Sequence, residues 1–421
     1  MKQIKYAEER LLVQSREIRQ QVSLIIDAVR ERGDKAVLEY AQQFDSSDRT
    51  KLRVSENEIA DALKSVPKNE LDAMTLALGN IRAFAEAQKA SLTEITEYEP
   101  MPGIILGHRL VPVDSVCCYV PGGLYPLFST AMMLITPAKC AGVRRIAACS
   151  PPMKGSSSVN PKTLAAMALA GADEIYALGG VQAIAAFAYG TEQIKNVDLI
   201  VGPGNAYVAE AKRQCYGQVG IDFIAGPSEI LIIADESADP ALVAGDLLAQ
   251  CEHDKNAQGI LLSLSEKLAM QVLAEIDRQL ETLDTAAVAS FSWKHYGEIL
   301  LVENLDEAVN YANLRAPEHL EIQIQDCPEL IAKLRNYGAL FIGEYTAEVF
   351  GDYASGTNHT LPTLRASRYT GGLWVGTFLK TLCFQKASRS GAAKLAPIVS
   401  LLAKAEGLSA HSAAAERRAL L

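Results

Sequence analysis

From Ser115 onwards the chain repeats one rhythm: a short apolar run rich in β-branched residues, a turn with Gly or Pro, then a segment of helical spacing. The runs fall at 115–120, 145–149, 174–178 and 198–201, and helical segments are expected at 130–141, 161–170, 181–189 and 206–216. Strand, helix, strand, helix implies parallel sheets with crossover helices on their faces. After Ile221 the rhythm resumes, with runs at 229–234, 259–263, 298–302 and 339–342. Two α/β units of similar rhythm therefore follow each other, without a residue-level repeat that would prove duplication.

The 421 residues, about half apolar, are enough for two or three domains. Fifty acidic against forty basic residues leave a formal charge of −10, and no Lys/Arg run is dense enough to track a phosphate backbone. That argues against a nucleic-acid partner. The N-terminal MKQIKYAEERLLVQSREIRQQ is charged throughout and has no apolar h-region, so no signal peptide or membrane anchor is expected there. No later stretch has the length to span a bilayer. The eight cysteines include no C-x-x-C pair, which favours reduced, buried thiols in a cytoplasmic protein.

Between Lys5 and about Glu97 the pattern is mostly helical, with Ile18, Val22, Ile25, Ile26 and Val29 on one face and further helices expected at 56–65 and 70–88. This reads as a helical layer without chemistry of its own. A different texture appears at 345–376, rich in Gly, Ser, Thr and Asn. Loop-rich spans of that length in a compact protein are usually functional. Beyond it, 391–405 reads as helical, with Pro397 a point of kinking or splitting, and the tail AEGLSAHSAAAERRALL is too short to fold alone.

The stretch 221–254 gathers a Gly226-Pro227-Ser228 turn, a buried strand, and a helix that Asp239 caps and Pro240 begins. That helix buries Val243, Leu247 and Leu248, and it ends with Gln250 and His253 on one face. Spacing alone does not separate a metal-binding pair from two solvated side chains. Of the other histidines, His319 follows Glu318 in RAPEHLEI, His359 shares GDYASGTNHTLPT with Asp352, and His411 lies near Glu406, whereas His108 and His295 have no such setting. Asp352 also fits a helix cap or Asx turn, and His411 a solvated tail residue. Pro317 places Glu318 and His319 at a strand entrance, where a bend brings both into a cleft. If Gln250, His253, Asp352 and His411 converge, their nitrogen and oxygen donors suit zinc or another first-row divalent ion, in a catalytic or substrate-orienting site. Glu318 and His319 would then supply general acid and base. Three Gly-rich strand ends, YVPGG from Tyr119, ALGGVQ from Ala177 and VGPGN from Val201, fall in the first α/β unit, where they would line one crevice. The last lacks the third glycine of a dinucleotide fingerprint, so as a lone motif it equally describes a tight turn.

The motifs YVPGG, LGGVQAIAAFAYGTE, VGPGNAYVAEAKR, AGPSEILIIAD, QCEHD, APEHLEI, GDYASGTNHTLPT and EGLSAH, in this order, resemble the histidinol dehydrogenase family from about Tyr119 to His411. The resemblance implies the last step of histidine biosynthesis: L-histidinol oxidised through the aldehyde to L-histidine, with two NAD. It implies zinc, one per subunit, on Gln250, His253, Asp352 and His411. Ser228, His319 and Glu406, with those ligands, would hold substrate; Glu318 and His319 would be the acid-base pair; Tyr119, Gln182 and Asn205 would contact NAD. A homodimer is implied, with the C-terminal tail completing the partner's site. The expected fold is α/β, with two Rossmann-like parallel-sheet units, an N-terminal helical layer and a short C-terminal helical tail. Residues 1–118 with 229–373 would form the helical layer and the α/β domain carrying most of the zinc site, 119–228 the NAD-binding domain, and 374–421 the docking tail. Cys251 stands where many relatives have alanine, a small change at a position expected to face the core.

Two rivals differ in class. A paralogous zinc dehydrogenase of another small alcohol or diol would be expected to lose the imidazole- and amine-binding groups, yet Glu406 and His411 are present. A catalytically silent, metal-stabilised binding protein has no need of both Glu318 and His319.

Overall fold

The hexapeptide EILIIA, with three isoleucines, suits a strand buried on both faces better than a helix, in which β-branched side chains lose rotamer freedom. It forms the centre of a sheet, and all six residues are buried. The computed structural model describes residues 1–9, 16–122, 126–325 and 328–420. Gly123, the last residue of the YVPGG motif, and Leu421 of the tail lie outside the described residues.

The chain opens with strand β1 (Lys2–Lys5) and four helices, α1 (Arg16–Arg32), α2 (Asp34–Asp45), α3 (Glu56–Ser65) and α4 (Lys68–Ala90). Strands β2 (Ile95–Met101) and β3 (Ile104–Pro112) follow. The first α/β unit comprises β4 (Ser115–Tyr119), α5 (Ser129–Ala141), β5 (Arg145–Ser150), α6 (Pro161–Ala170), β6 (Glu174–Ala177), α7 (Gly180–Tyr189), β7 (Leu199–Val201), α8 (Ala206–Cys215) and β8 (Gly220–Ile221). The second comprises β9 (Glu229–Ala234), α9 (Pro240–Cys251), β10 (Gln258–Ser263), α10 (Glu266–Leu280), α11 (Ala286–Tyr296), β11 (Glu298–Leu301), α12 (Leu305–Arg315), β12 (His319–Gln323), α13 (Pro328–Lys333), β13 (Ala339–Ile342) and α14 (Glu348–Tyr353). The chain closes with β14 (Leu379–Ala387), α15 (Arg389–Ala405) and α16 (Ser409–Ala419).

The two units share a topology. The first sheet runs β6-β5-β4-β7-β8 and the second β11-β10-β9-β12-β13, so each starts in its middle, grows one way, and then reverses past its first strand. All neighbouring pairs within these five-strand sets are parallel. The reversal leaves a switch point in each, between β4 and β7 and between β9 and β12, the usual place for a ligand crevice in an open sheet.

Three features depart from the sequence expectation. The helical pattern from Lys5 to about Glu97 stops short at its far end, where Ile95 already belongs to β2, and ahead of it Lys2–Lys5 is an antiparallel edge strand beside β11. Helices α1–α4 do not accompany 229–373. Val22, Ile26 and Val29 of α1 pack with Ile184 and Phe187 of α7, while Met74, Leu78 and Ile81 of α4 pack with Met132 and Leu134 of α5, so they add an outer layer to the crossover helices on both sides of the first sheet. A boundary at 118/119 would also cut β4, which is one continuous strand to Tyr119. Finally, the tail is not helical alone. Its strand β14 pairs antiparallel along all of β3, and β2 completes a three-stranded sheet. Alternating polar and apolar residues on an exposed β-ribbon carry little signal against a helical background, which is why this sheet escapes the periodicity. Helix α15 runs through Pro397 without a break.

Candidate functional site

A cleft of about 830 Å³ lies between the carboxyl ends of β4 and β7 and the amino ends of β9 and β12, within the size range of small-molecule and cofactor sites.

Its first wall comes from the turns that leave β4 and β7. Pro121, Pro203, Gly204 and Asn205 line it. Asn205 caps α8, its Oδ1 accepting the N–H groups of Tyr207 and Val208 at 3.0 and 3.1 Å. The positive end of that helix therefore opens beside the cleft, a setting that favours phosphate groups. Tyr119 and Gln182 are buried and are not part of the lining. The Tyr119 hydroxyl accepts the N–H of Gly180 at 3.1 Å, and Gln182 reaches Asp45 at 3.4 Å while its Oε1 has no hydrogen-bond partner. Of the three Gly-rich strand ends, those at Pro121 and Pro203 contribute to the lining and the one at Gly179 does not.

The second wall holds the titratable groups. Ala316, at the end of α12, takes φ +50°, a left-handed conformation that alanine adopts at a cost. The chain then turns through Pro317 and enters β12 at His319. This bend lets Glu318 and His319 both face the cleft. Glu318 Oε2 accepts the N–H of Glu229 at 2.9 Å, tying it to the start of β9 beside Ser228. The turn before β9 is fixed from the loop side, where Thr363 accepts the N–H of Gly226 at 2.5 Å. Arg315 in turn holds Glu229 at 2.7 Å and Gln258 at 2.5 Å.

Around His319 the polar groups gather without pairing. Its Nδ1 lies 3.6 Å from Glu348 and 3.8 Å from Glu318, and its Nε2 lies 3.7 Å from Asp352, all beyond good hydrogen-bond geometry. His253 Nε2 is 3.8 Å from Asp352 Oδ2. Ligand atoms of His253, Glu348 and Asp352 all lie within 4.8 Å of one another. Both ring nitrogens of His319, both carboxylate oxygens of Glu348 and both amide atoms of Gln250 are buried with no hydrogen-bond partner. A native core rarely tolerates such orphans unless a ligand or ion completes them. Burial holds the His319 imidazole down to about 4, against the opposing pull of Asp352, so it is neutral with an open nitrogen at physiological pH. Burial pushes the carboxyls of Glu318 and Glu348 well above the usual carboxylate range, and lowers His359.

Ser228, His253, Glu318, His319 and Asp352 thus meet at one cleft, and Gln250 lies buried one turn from His253. Glu406 and His411 do not join them: both are exposed near the α15–α16 turn and absent from the lining. Two residues of this wall had no role assigned from sequence. Glu348 sits one helical turn before Asp352, and that i,i+4 carboxylate pair on one face is the signal that marks it. His359 lines the cleft and its Nδ1 donates to the Asp352 carbonyl at 2.8 Å.

The histidinol dehydrogenase family model matches residues 8–419 of the chain. Similar proteins include histidinol dehydrogenase homolog 1 of Mesorhizobium japonicum, 50% identical over 93% of this chain and 78% of the relative. A histidinol dehydrogenase homolog of Shouchella clausii is 47% identical over 95% and 94%, and the histidinol dehydrogenase of Gluconobacter oxydans is 45% identical over 94% and 92%. The crystal structure of histidinol dehydrogenase from Elizabethkingia anophelis superposes with a TM-score of 0.93 at 36% identity, covering 97% of this chain and 94% of that one.

Proposed function

Because the chain belongs to the histidinol dehydrogenase family, an NAD-dependent oxidoreductase family of histidine biosynthesis, we propose that its cleft oxidises L-histidinol to L-histidine in two successive steps. The observation that carries this reading is the set of buried, unpartnered polar atoms of Gln250, His319 and Glu348 around His253 and Asp352.

Those donors fit a divalent metal: nitrogen and oxygen ligands with few charges, in a pocket whose polar atoms lack partners. Gln250, His253 and Asp352 would hold zinc from this chain, with Glu348 beside them and His411 arriving from a second copy. Bound there, the zinc would orient the imidazole and amine of the substrate and polarise its oxygen. NAD, when bound, accepts the hydride at each oxidation.

The chain's own groups carry the proton chemistry. Neutral His319 takes the hydroxyl proton of the alcohol as the first hydride leaves carbon. Glu318, held at the start of β9, directs water onto the resulting aldehyde. Once His319 has passed its first proton to water, the hydrate gives it a hydroxyl proton and a second hydride goes to a second cofactor, leaving the carboxylic acid, which loses its remaining proton to solvent as the carboxylate. Ser228 positions the substrate beside them. Held between two walls, the aldehyde is kept from solvent until it is spent. The lining at this end, with the carboxyl groups of Glu318, Asp352 and Asp254, offers acceptors to the N–H groups of histidinol. The lining Arg residues, Arg19 and Arg213, lie at the α8 end instead.

Glu406 and His411 act in trans in this reading. The α15–α16 hairpin exposes Ile398, Leu401, Leu402 and Leu408, an apolar face suited to docking on a partner subunit. Among the described residues no helix is long and apolar enough to cross a membrane, and the seven of the eight cysteines that lie among them are free thiols, in keeping with a cytoplasmic enzyme.

The test is the stoichiometry of turnover. Purified protein should form about two NADH per histidinol consumed, lose activity to a strong chelator, and regain it with zinc. A second reading, a paralogue acting on another small alcohol, is favoured by one observation: the relatives at 50% and 47% identity are named only as homologs. Turnover of a simple diol without turnover of histidinol would decide for that paralogue.

A further inference from the structure

Lys212 and Asp222 form an ion pair whose side chains are only 3% and 1% exposed. Burying two opposite charges costs several kcal/mol per ion unless the remaining donors and acceptors are also met. Here a single residue meets them. The second carboxylate oxygen of Asp222 accepts the N–H of Gly202 at 2.7 Å, and Lys212 Nζ donates to the Gly202 carbonyl at 2.9 Å. Both backbone polar groups of Gly202 are therefore taken by the pair.

Gly202 is a demanding residue to hold. Its φ is +118°, and a Cβ there would collide with the Tyr119 carbonyl oxygen and the Leu134 side chain. It sits at the end of β7, wedged against the end of β4 across the switch point. Lys212 reaches it from the second turn of α8, and Asp222 from the residue after β8. The pair thus ties α8 and the end of β8 to one residue at the end of β7. The next three residues, Pro203, Gly204 and Asn205, are those that line the cleft, and Asn205 also caps α8. An apolar pair of the same volume would fill the space without bonding Gly202.

We propose that Lys212 and Asp222 are positioning residues for the dinucleotide, fixing the Gly202–Asn205 turn and the N-terminus of α8 in the place where the cofactor lies. They touch neither substrate nor reacting atoms. The inference rests on NAD being the cofactor of this cleft.

The experiment measures NADH binding to the full-length protein by fluorescence, zinc binding by equilibrium dialysis, and steady-state kinetics with histidinol, for wild type, Lys212→Met and Asp222→Asn. The expected result is NADH affinity weakened on the order of tenfold or more, a matching rise in KM for NAD, and zinc binding and KM for histidinol unchanged. Lys212→Arg, which keeps a donor, should recover part of the NADH affinity. Variants that bind NADH like wild type and lose only thermal stability would overturn the proposal. If Lys212→Met does not fold, Asp222→Asn decides by the same criterion. Failure of wild type itself to bind NADH would refute the cofactor reading instead, so the two failures are distinct.

Discussion

The two walls of the cleft come from sheets of the same strand order, yet they use opposite ends of their strands and hold their polar atoms in opposite states. The first wall sits at the carboxyl ends of β4 and β7, where the crevice of a parallel sheet is expected. Its turn is closed: the backbone of Gly202 and the Asn205 side chain have partners within the protein. The second wall sits at the amino ends of β9 and β12. It carries buried groups that the chain does not satisfy, and the bend at a left-handed alanine aims one of them, His319, into the cleft. A surface that binds a cofactor transiently benefits from being finished beforehand. One that grips a metal and a substrate has to leave donors unpaired until they arrive, and it pays for this in stability.

That contrast can be broken at several points. The largest effect belongs to the second wall: His319→Asn should lower the rate of both oxidations by about 10²–10⁴-fold, read as NADH formation from histidinol and from the aldehyde. Glu318→Gln should chiefly slow the aldehyde step, and equal loss in both steps would contradict the roles given to these two residues. Next, Lys212→Met should destabilise the protein by about 3–5 kcal/mol in urea unfolding, because Asp222 is left buried and unpaired. At Gln250 the sign should reverse. Gln250→Leu removes two buried, unpartnered groups, so the metal-free protein should gain about 1–3 kcal/mol while losing activity. A loss of stability there would mean that the amide is satisfied within the chain and the walls do not differ. The smallest effect lies outside both walls. The Arg49 hydrogen bond and the Ser55 cap hold the Glu58 carboxyl down to about 2 from its ordinary 4.5. Its contribution is present above 4.5 and fades as pH falls through about 2. Glu58→Gln should flatten this part of the acid-unfolding profile by less than about 1 kcal/mol, as suits a half-buried pair that solvent still screens.

Much of this was legible in the residues. The eight runs read as strands all form strands, because β-branched residues in a doubly buried sheet leave a continuous apolar signature. His253, Glu318, His319 and Asp352 share one cleft, as their motifs imply. What stayed hidden depends on long-range geometry. Periodicity does not say on which sheet α1–α4 settle, since an apolar helix face fits either. It does not separate the exposed β2, β3 and β14 from loop. The order of turn and apolar run puts Ser228 and His319 at strand entrances, but that these amino ends, against the usual rule, form the cleft with the carboxyl ends of the other sheet emerges only from the fold. Lys212 and Asp222 look like ordinary surface charges in the sequence; only their burial gives them meaning.

A mixing experiment addresses the exposed hairpin. Inactive His411→Ala and His319→Asn chains should together regain activity if α16 completes a partner's site, and no recovery would exclude the trans arrangement.

The most direct measurement is zinc titration of the metal-free protein. Wild type should bind about one zinc per chain, with Gln250→Leu and Asp352→Ala binding at least about tenfold more weakly and Lys212→Met binding normally. Undiminished zinc binding in the Gln250 and Asp352 variants, or its loss in the Lys212 variant, would contradict the division between a finished cofactor wall and an open metal wall.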